Sequence, residues 1–286
     1  MPRLIINADD FGLTPGINQS VLELSRAKSL TSATLMATAT HFPAAAGESL
    51  LPTAAGLGVG CHVVLVDGEA SLPASETPAL APGGRFHPTL GAFLSKLLRG
   101  AISEAEIEIE AVSQIRRLQA AGVRVTHVDT HKHTHMFARV LRPLLRAARA
   151  CGIRAIRNPF EPDWSVAATH GAPVLRRLQV AILRTQREGF LRAVKQAGLA
   201  TTDGSLGVLA TGTLNTATIE SILRAMPEGT WELVTHPAFY DKELDTVATR
   251  LRESRPVEHA SLLEAIPGIA AERPDLQLMH FGQLGR

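Results

Sequence analysis

His127-Val128-Asp129-Thr130-His131-Lys132-His133-Thr134-His135 carries four of the chain's eleven histidines and one carboxylate within nine residues. Its reading decides the fold. As a helix, the stretch would stack His127, His131 and His135 at four-residue spacing. As a strand, continued from Val123-Arg124-Val125-Thr126, it alternates branched apolar and polar side chains, so that His127, Asp129 and His131 point to one side. The β-branched run and the preceding Ala121-Gly122 favour a strand that begins after a helix C-cap and ends near Asp129. His133 and His135 then lie in the loop and first turn beyond the strand, where α/β proteins place their chemistry. Neutral imidazoles and a carboxylate suit a divalent metal, and alternate spacing lets several donors converge. A polar strand end with solvated histidines is the bland alternative, and the density of the cluster argues against it.

Working outward, strands and helices alternate. Leu4-Ile5-Ile6 leads into Asn7-Ala8-Asp9-Asp10-Phe11-Gly12 and then into an amphipathic segment, Pro15 to Lys28, giving strand, loop, helix. Two adjacent carboxylates at the end of a buried strand cannot both hide cheaply, so Asp9 and Asp10 need a cation, a proton or solvent. Thr31 to Met36 and Gly56 to Val66 read as further strands, the latter apolar almost throughout but interrupted by His62. A lone buried His is more often a satisfied core residue, unless other ligands converge on it. Residues 67–101, with several prolines and Gly83-Gly84, read as a long irregular insertion that covers a site. Ser103 and Glu106 form a capping box for a helix to Ala121. After the histidine strand come a helix from Met136 to Cys151, a strand end at 154–157, strands at 204–209, 231–235 and 276–281, and helices at 215–226 and 256–266. A second insertion spans 161–200. Within it, Val174 to Lys195 holds six Lys or Arg against one Glu, interleaved with Leu175, Leu178, Ile182 and Phe190. Such a helix either lies on a membrane surface or packs ordinarily with its basic face in solvent, and the second is the expectation.

This rhythm predicts a single α/β domain over 1–286 with parallel strands and outer helices. The 286 residues, 45% hydrophobic, suffice for one large core. No run of about 18 apolar residues is present, and the first residues enter a strand directly, so the expectation is a cytoplasmic protein without a signal peptide. Cys61 and Cys151 alone make no disulfide framework. A net charge of +2 and 4% aromatic residues offer neither a cationic face nor a stacking platform for nucleic acid. Asp9-Asp10, His62, the 127–135 cluster and His236 all sit at or just beyond the C-terminal ends of separate strands. In a parallel barrel those ends share one face, so a common site is expected there.

In order and spacing along essentially the whole chain, Asn7-Ala8-Asp9-Asp10-Phe11-Gly12, Gly60-Cys61-His62, the 127–135 cluster and His236-Pro237-Ala238 resemble the YdjC-like carbohydrate deacetylases, also called the ChbG family. Within that family, His131-Lys132-His133-Thr134-His135 and the basic segment before Gly198 are most similar to the hopanoid biosynthesis-associated deacetylases. Cys61 departs from the larger apolar residue expected beside the histidine. The resemblance implies a distorted (β/α) barrel of the polysaccharide-deacetylase type and one divalent metal ion, Mg2+ or Zn2+, held by Asp10, His62 and His131. It implies Asp9 as base and His236 as a candidate acid. Metal-bound imidazoles need hydrogen-bonded partners, so His127, Asp129, His133, His135 and Arg157 are expected to orient the ligands or bind substrate. The implied reaction removes the N-acetyl group from an N-acetylglucosamine moiety of a glycosylated hopanoid lipid. That substrate would bring peripheral contact with the inner membrane, and a homodimer is a candidate assembly. Soluble N-acetylated oligosaccharides such as chitobiose are the alternative substrate. A metal-dependent phosphoesterase is a rival kept open by Arg154 and Arg157, although such enzymes carry more carboxylates around two metals. A non-catalytic metal- or sugar-binding module would not need both Asp9 and Asp10.

Overall fold

The computed structural model describes residues 1–285. Its centre is β1 (Pro2–Phe11), in which only Arg3 is exposed, as expected of a parallel strand covered on both faces. Around it lie β2 (Ser32–Leu35), β3 (Gly58–Val63), β4 (Val128–Thr130), β5 (Gly204–Leu206), β6 (Gly229–Thr235) and β7 (Gln277–Leu278). The order across the sheet is β4-β3-β2-β1-β6-β5, with every ladder parallel, and β7 pairs with the start of β1. The sheet curls, and the segment after residue 153 fills the gap between its ends. Arg157 N–H donates to Val128 of β4, while the Ser205 N–H of β5 donates to Phe160. The result is the expected distorted barrel of parallel strands, its C-terminal strand ends on one rim.

The helices are α1 (Pro15–Arg26), α2 (Phe42–Ser49), α3 (Leu90–Leu98), α4 (Glu104–Ala120), α5 (Ala138–Ala150), α6 (Asp163–Ala168), α7 (Val174–Arg184), α8 (Arg187–Ala197), α9 (Thr216–Ala225) and α10 (Ser254–Glu272). Side-chain oxygens start several of them: Thr14 caps α1, Ser103 caps α4 and Asn215 caps α9. Among the described residues no helix is long and apolar enough to cross a membrane.

Four expectations change. The 67–101 insertion is not irregular throughout, because Thr89 caps α3 and Phe93 and Leu97 are buried. The strand expected from Val123 forms as β4 only at Val128–Thr130, preceded by two backbone bonds to β3, from the Thr126 N–H to Val59 and from the Cys61 N–H to His127. The helix expected up to Ile266 runs through Pro267 to Glu272. The basic segment is two helices, broken where Thr185 and Gln186 N–H groups bond three residues back and the Thr185 hydroxyl donates to the Ile182 carbonyl.

The orientation of α7 also reverses the expected one. Its arginines turn inward, Arg176 donating to the carbonyls of Thr211 and Val208, Arg177 to those of Val166 and Thr169, while Arg184 pairs with Asp163. Val174, Leu175, Leu178 and Ile182 face solvent, at 83, 67, 55 and 59% exposure. Main-chain carbonyls left over at loop ends attract guanidinium donors, and satisfying them outweighs burial of one apolar stripe.

Candidate metal centre and active-site cleft

Consecutive strand residues ordinarily face opposite sides, yet Asp9 and Asp10 both face the rim. The cause is a bulge. Between Ala8 and Phe11 β1 has one more residue than β2 between Ala33 and Leu35, and Asp10 adopts a left-handed backbone with φ 64°. The strand therefore continues through both aspartates, where a loop was expected.

The two carboxylates then have different fates. Asp9 is fully engaged: Oδ1 accepts from Asn7 Nδ2 at 2.9 Å and Thr34 Oγ1 at 3.1 Å, and Arg157 donates to both oxygens at 2.7 and 2.9 Å. Burial alone would raise the Asp9 pKa, but Arg157, then His62, overrides it and holds the carboxyl well below its ordinary range. Asp10 accepts from Arg255 at Oδ2, while its buried Oδ1 has no hydrogen-bond partner among the described residues. Two imidazole nitrogens face that oxygen, His62 Nε2 at 3.5 Å and His131 Nδ1 at 3.3 Å.

This trio fits a metal. Donors bound tetrahedrally at about 2.0–2.1 Å stand about 3.3 Å apart, close to the separations from Asp10 Oδ1. His62 Nδ1 bonds Asp129 Oδ1 at 2.8 Å, which fixes the ring and leaves Nε2 pointing to Asp10. Burial opposes charge on His62, but Asp129 and Asp9 outweigh it and push its pKa up to about 9. Asp9, His62 and Asp129 also lie close together, but Asp9 and Asp129 are committed to Arg157, and Asp129 to His62 Nδ1.

The other predicted residues separate by depth. His236, beyond β6, has Nε2 3.8 Å from Asp9 Oδ2, and burial lowers its pKa to about 4. His133 lines the same lobe of the cleft, its Nδ1 buried without a partner and its pKa lowered to about 3 by burial and then Arg157. His135 lies beneath, between the Thr130 hydroxyl and the Arg157 carbonyl. His127 is lower still, stacked on Phe281 with ring centroids 3.8 Å apart, and a Cβ at Gly60 would stand 2.4 Å from its ring. Neither His127 nor His135 lines the cleft. Arg157 is wholly buried among Asp9, Asp129 and Glu232, so it holds Asp9 in place and offers a phosphate nothing.

Sequence reasoning missed three residues. Arg255, in the first turn of α10, grips Asp10 and donates to the His236 carbonyl at 3.4 Å. A cation at a helix N-terminus opposes the helix dipole, an anomaly that could have marked it. Glu258 accepts from the His236 N–H at 2.7 Å, and Glu232 accepts from Arg157 Nε at 2.8 Å. A lone carboxylate between Trp231 and Leu233 in an apolar strand was a readable signal for the latter.

Above Asp10, His62 and His131 the cleft has two lobes. One, about 510 Å3, is lined by Asp9, Asp10, His62, His131, His133 and His236, with Arg176 and Leu251 at its wall. The other, about 430 Å3, is lined by Met36, Thr38, Thr40, Asp67, Glu69 and Arg85. They meet at Asp10, His131 and Lys132 on one side and Ala248-Thr249 on the other. Such a cleft can hold a ligand with two parts, a metal-polarised group in one and a linked moiety in the other.

Residues 3–266 match the family described as YdjC-like protein. A carbohydrate deacetylase of Brevibacillus brevis is 31% identical over 289 residues, covering 99% of this chain and 100% of that one. A chitooligosaccharide deacetylase of Escherichia fergusonii is 37% identical over 139 residues, 48% of this chain and 52% of that one. A solved structure from Enterococcus faecalis, provisionally named a cellobiose-phosphate cleavage protein, superposes with a TM-score of 0.78 at 25% identity, covering 98% of this chain and 97% of that one.

Proposed function

The chain belongs to the YdjC-like protein family, and from that premise we propose that it is a carbohydrate deacetylase that hydrolyses the N-acetyl group of an amino sugar with one divalent metal ion. The observation that carries the reading is the unpartnered, buried Asp10 Oδ1 facing His62 Nε2 and His131 Nδ1, with a separately locked carboxylate beside it. Asp10, His62 and His131 would hold the ion, which would supply Lewis-acid polarisation of the acetyl carbonyl and acidify water.

The chain's own groups handle the protons. Asp9, kept off the metal by Arg157, accepts the proton of the attacking water. Its low basicity makes it a weak resting base, so the proton moves on. His236 Nε2, 3.8 Å from Asp9 Oδ2 and neutral at rest, receives it. An imidazolium with a pKa near 4 is a strong acid, and it delivers the proton to the departing amine. His133 orients the sugar from the cleft wall, while Asp129 orients His62. His127 and His135 support these groups from below.

The finer reading is an N-acetylglucosaminyl lipid, a glycosylated hopanoid, as substrate. Its support is α7, whose apolar stripe faces outward from a helix that also sends Arg176 to the cleft wall, as a helix resting on a lipid surface beside the cleft would. Soluble chitooligosaccharides are the second reading, supported by the name of the Escherichia fergusonii relative.

The test incubates chelated and Mg2+- or Zn2+-loaded protein with di-N-acetylchitobiose, an N-acetylglucosaminyl lipid in liposomes and p-nitrophenyl phosphate. Acetate from the sugars only with metal is expected. Phosphate release without acetate overturns the deacetylase reading. Replacing Leu175, Leu178 and Ile182 together by Ser should cut turnover of the lipid selectively, and equal turnover of both sugars before and after leaves a deacetylase of soluble sugars.

A further inference from the structure

Among the described residues, five other than glycine have a left-handed backbone, and four of them surround the cleft: Asp10, Asp67, Lys132 and His133, with φ of 64, 60, 58 and 50°. The fifth, Lys28, follows the end of α1. Such conformations cost free energy at every non-glycine residue and persist only where the surroundings enforce them. The bulge accounts for Asp10. Lys132 and Asp67 need another account, since glycine would relieve both positions.

They form a pair. Lys132 Nζ stands 3.4 Å from Asp67 Oδ2, with the two side chains about equally exposed at 30 and 29%. Charge-assisted hydrogen bonds are ordinarily 2.7–2.9 Å, so this pair is loose and retains donors and acceptors for a third group. Its place is the ridge between the lobes: Lys132 lines both, and Asp67 lines the lobe away from His236.

We propose that Lys132 and Asp67 grip a neutral, hydroxyl-bearing unit, a second sugar or a polyol, linked to the amino sugar that reacts. This rests on the deacetylase reading. A hydroxyl is both donor and acceptor, so one can accept from the ammonium and donate to the carboxylate, a match that neither charge alone provides. The carboxylate repels an anionic unit and the ammonium a cationic one, so the pair selects neutral polyols. The left-handed backbone at Asp67, Lys132 and His133 is what holds the grip on the ridge while leaving His131 at the metal.

The experiment measures acetate release from N-acetylglucosamine and di-N-acetylchitobiose by metal-loaded wild type, Lys132→Met, Asp67→Asn and Lys132→Gly, with melting temperatures and calorimetric binding of the disaccharide. A lost hydrogen bond to a charged group corresponds to a change of about 10- to 100-fold. The ratio of kcat/KM for disaccharide over monosaccharide should fall by about that factor in Lys132→Met and Asp67→Asn, through KM more than kcat. Lys132→Gly should lose the same preference while melting at a higher temperature, because it sheds the backbone strain. An unchanged ratio, or equal loss of kcat on both sugars, overturns the proposal, as does a Lys132→Gly protein that melts lower yet keeps the preference. If wild type releases no acetate, the deacetylase reading fails, and calorimetry decides the grip alone: equal disaccharide affinity in wild type and Lys132→Met refutes it.

Discussion

Replacing Arg157 by Met tests the electrostatic frame of the site. The guanidinium is wholly buried and contacts both oxygens of Asp9 together with Asp129 and Glu232, and the nearest other cation is the His62 imidazole bonded to Asp129. Met fills a similar volume, so the loss is electrostatic. Removing one partner of a buried ion pair costs about 3–5 kcal/mol, because a desolvated charge is left behind. Here three carboxylates lose one cation, and part of the cost is avoided when one takes up a proton, so about 4 kcal/mol is expected at pH 7.5. The pH dependence gives the sharper criterion. In wild type the Asp9 pKa is depressed by Arg157, so its contribution to stability is present above the unfolded value near 4 and is lost as pH falls. Without Arg157 burial dominates and the folded pKa lies above the unfolded one, so stability is highest at low pH and falls as pH rises through the folded pKa. Urea unfolding at pH 7.5 and pH 5.5 should therefore show the deficit of Arg157→Met shrinking at the lower pH. A deficit under about 1 kcal/mol at pH 7.5, or one independent of pH, refutes the network as described.

Ala at Asp10, His62 or His131 should weaken Zn2+ binding by about tenfold or more in calorimetry, and full occupancy in His131→Ala removes that residue from the ligand set. Asp9→Asn should keep the metal and lose about 10²–10⁴-fold in turnover, whereas loss of metal there with retention in Asp10→Asn exchanges the two roles. Burial raises Glu258 to about 7, so its proton favours the folded state below the unfolded pKa near 4.5, an advantage lost as pH rises to 7. The stability of wild type relative to Glu258→Gln should then fall by at most about 3 kcal/mol between pH 4.5 and pH 8, and parallel urea profiles count against it.

Residues whose type contradicts their local pattern were legible in the sequence. Asp9-Asp10, His62, His131 and His236 interrupt apolar strands at their ends, and parallel topology carries those ends to one rim. Depth was not legible. His127, Asp129 and His131 do face one side, but each step of two residues climbs about 6.6 Å, so His131 reaches the rim while His127 lies two steps below it against Phe281. Arg255 and Glu258 were hidden because a helix start with mixed charges reads as a solvated face, and only the tertiary fold brings α10 to Asp10. The outward stripe of α7 was missed for a related reason: periodicity shows that a helix has two faces without showing which one the carbonyls at 166, 169, 208 and 211 will claim.

The pairing of β1 with β6 has a consequence for synthesis of the chain. Leu4 lies in register with Trp231 and Ile6 with Leu233, so the central strand acquires one of its neighbours only after more than 200 further residues. Until then its edge is an unpaired template beside β2, open to association with other nascent chains. Contacts of such sequence separation slow folding, because a long loop must close before they reward it. His236 and Arg255 follow the same late strand, so a ribosome stalled before residue 229 leaves Asp9 and Asp10 without them. Competence for chemistry therefore arrives together with closure of the sheet, and a half-made chain is an aggregation hazard rather than a half-active enzyme.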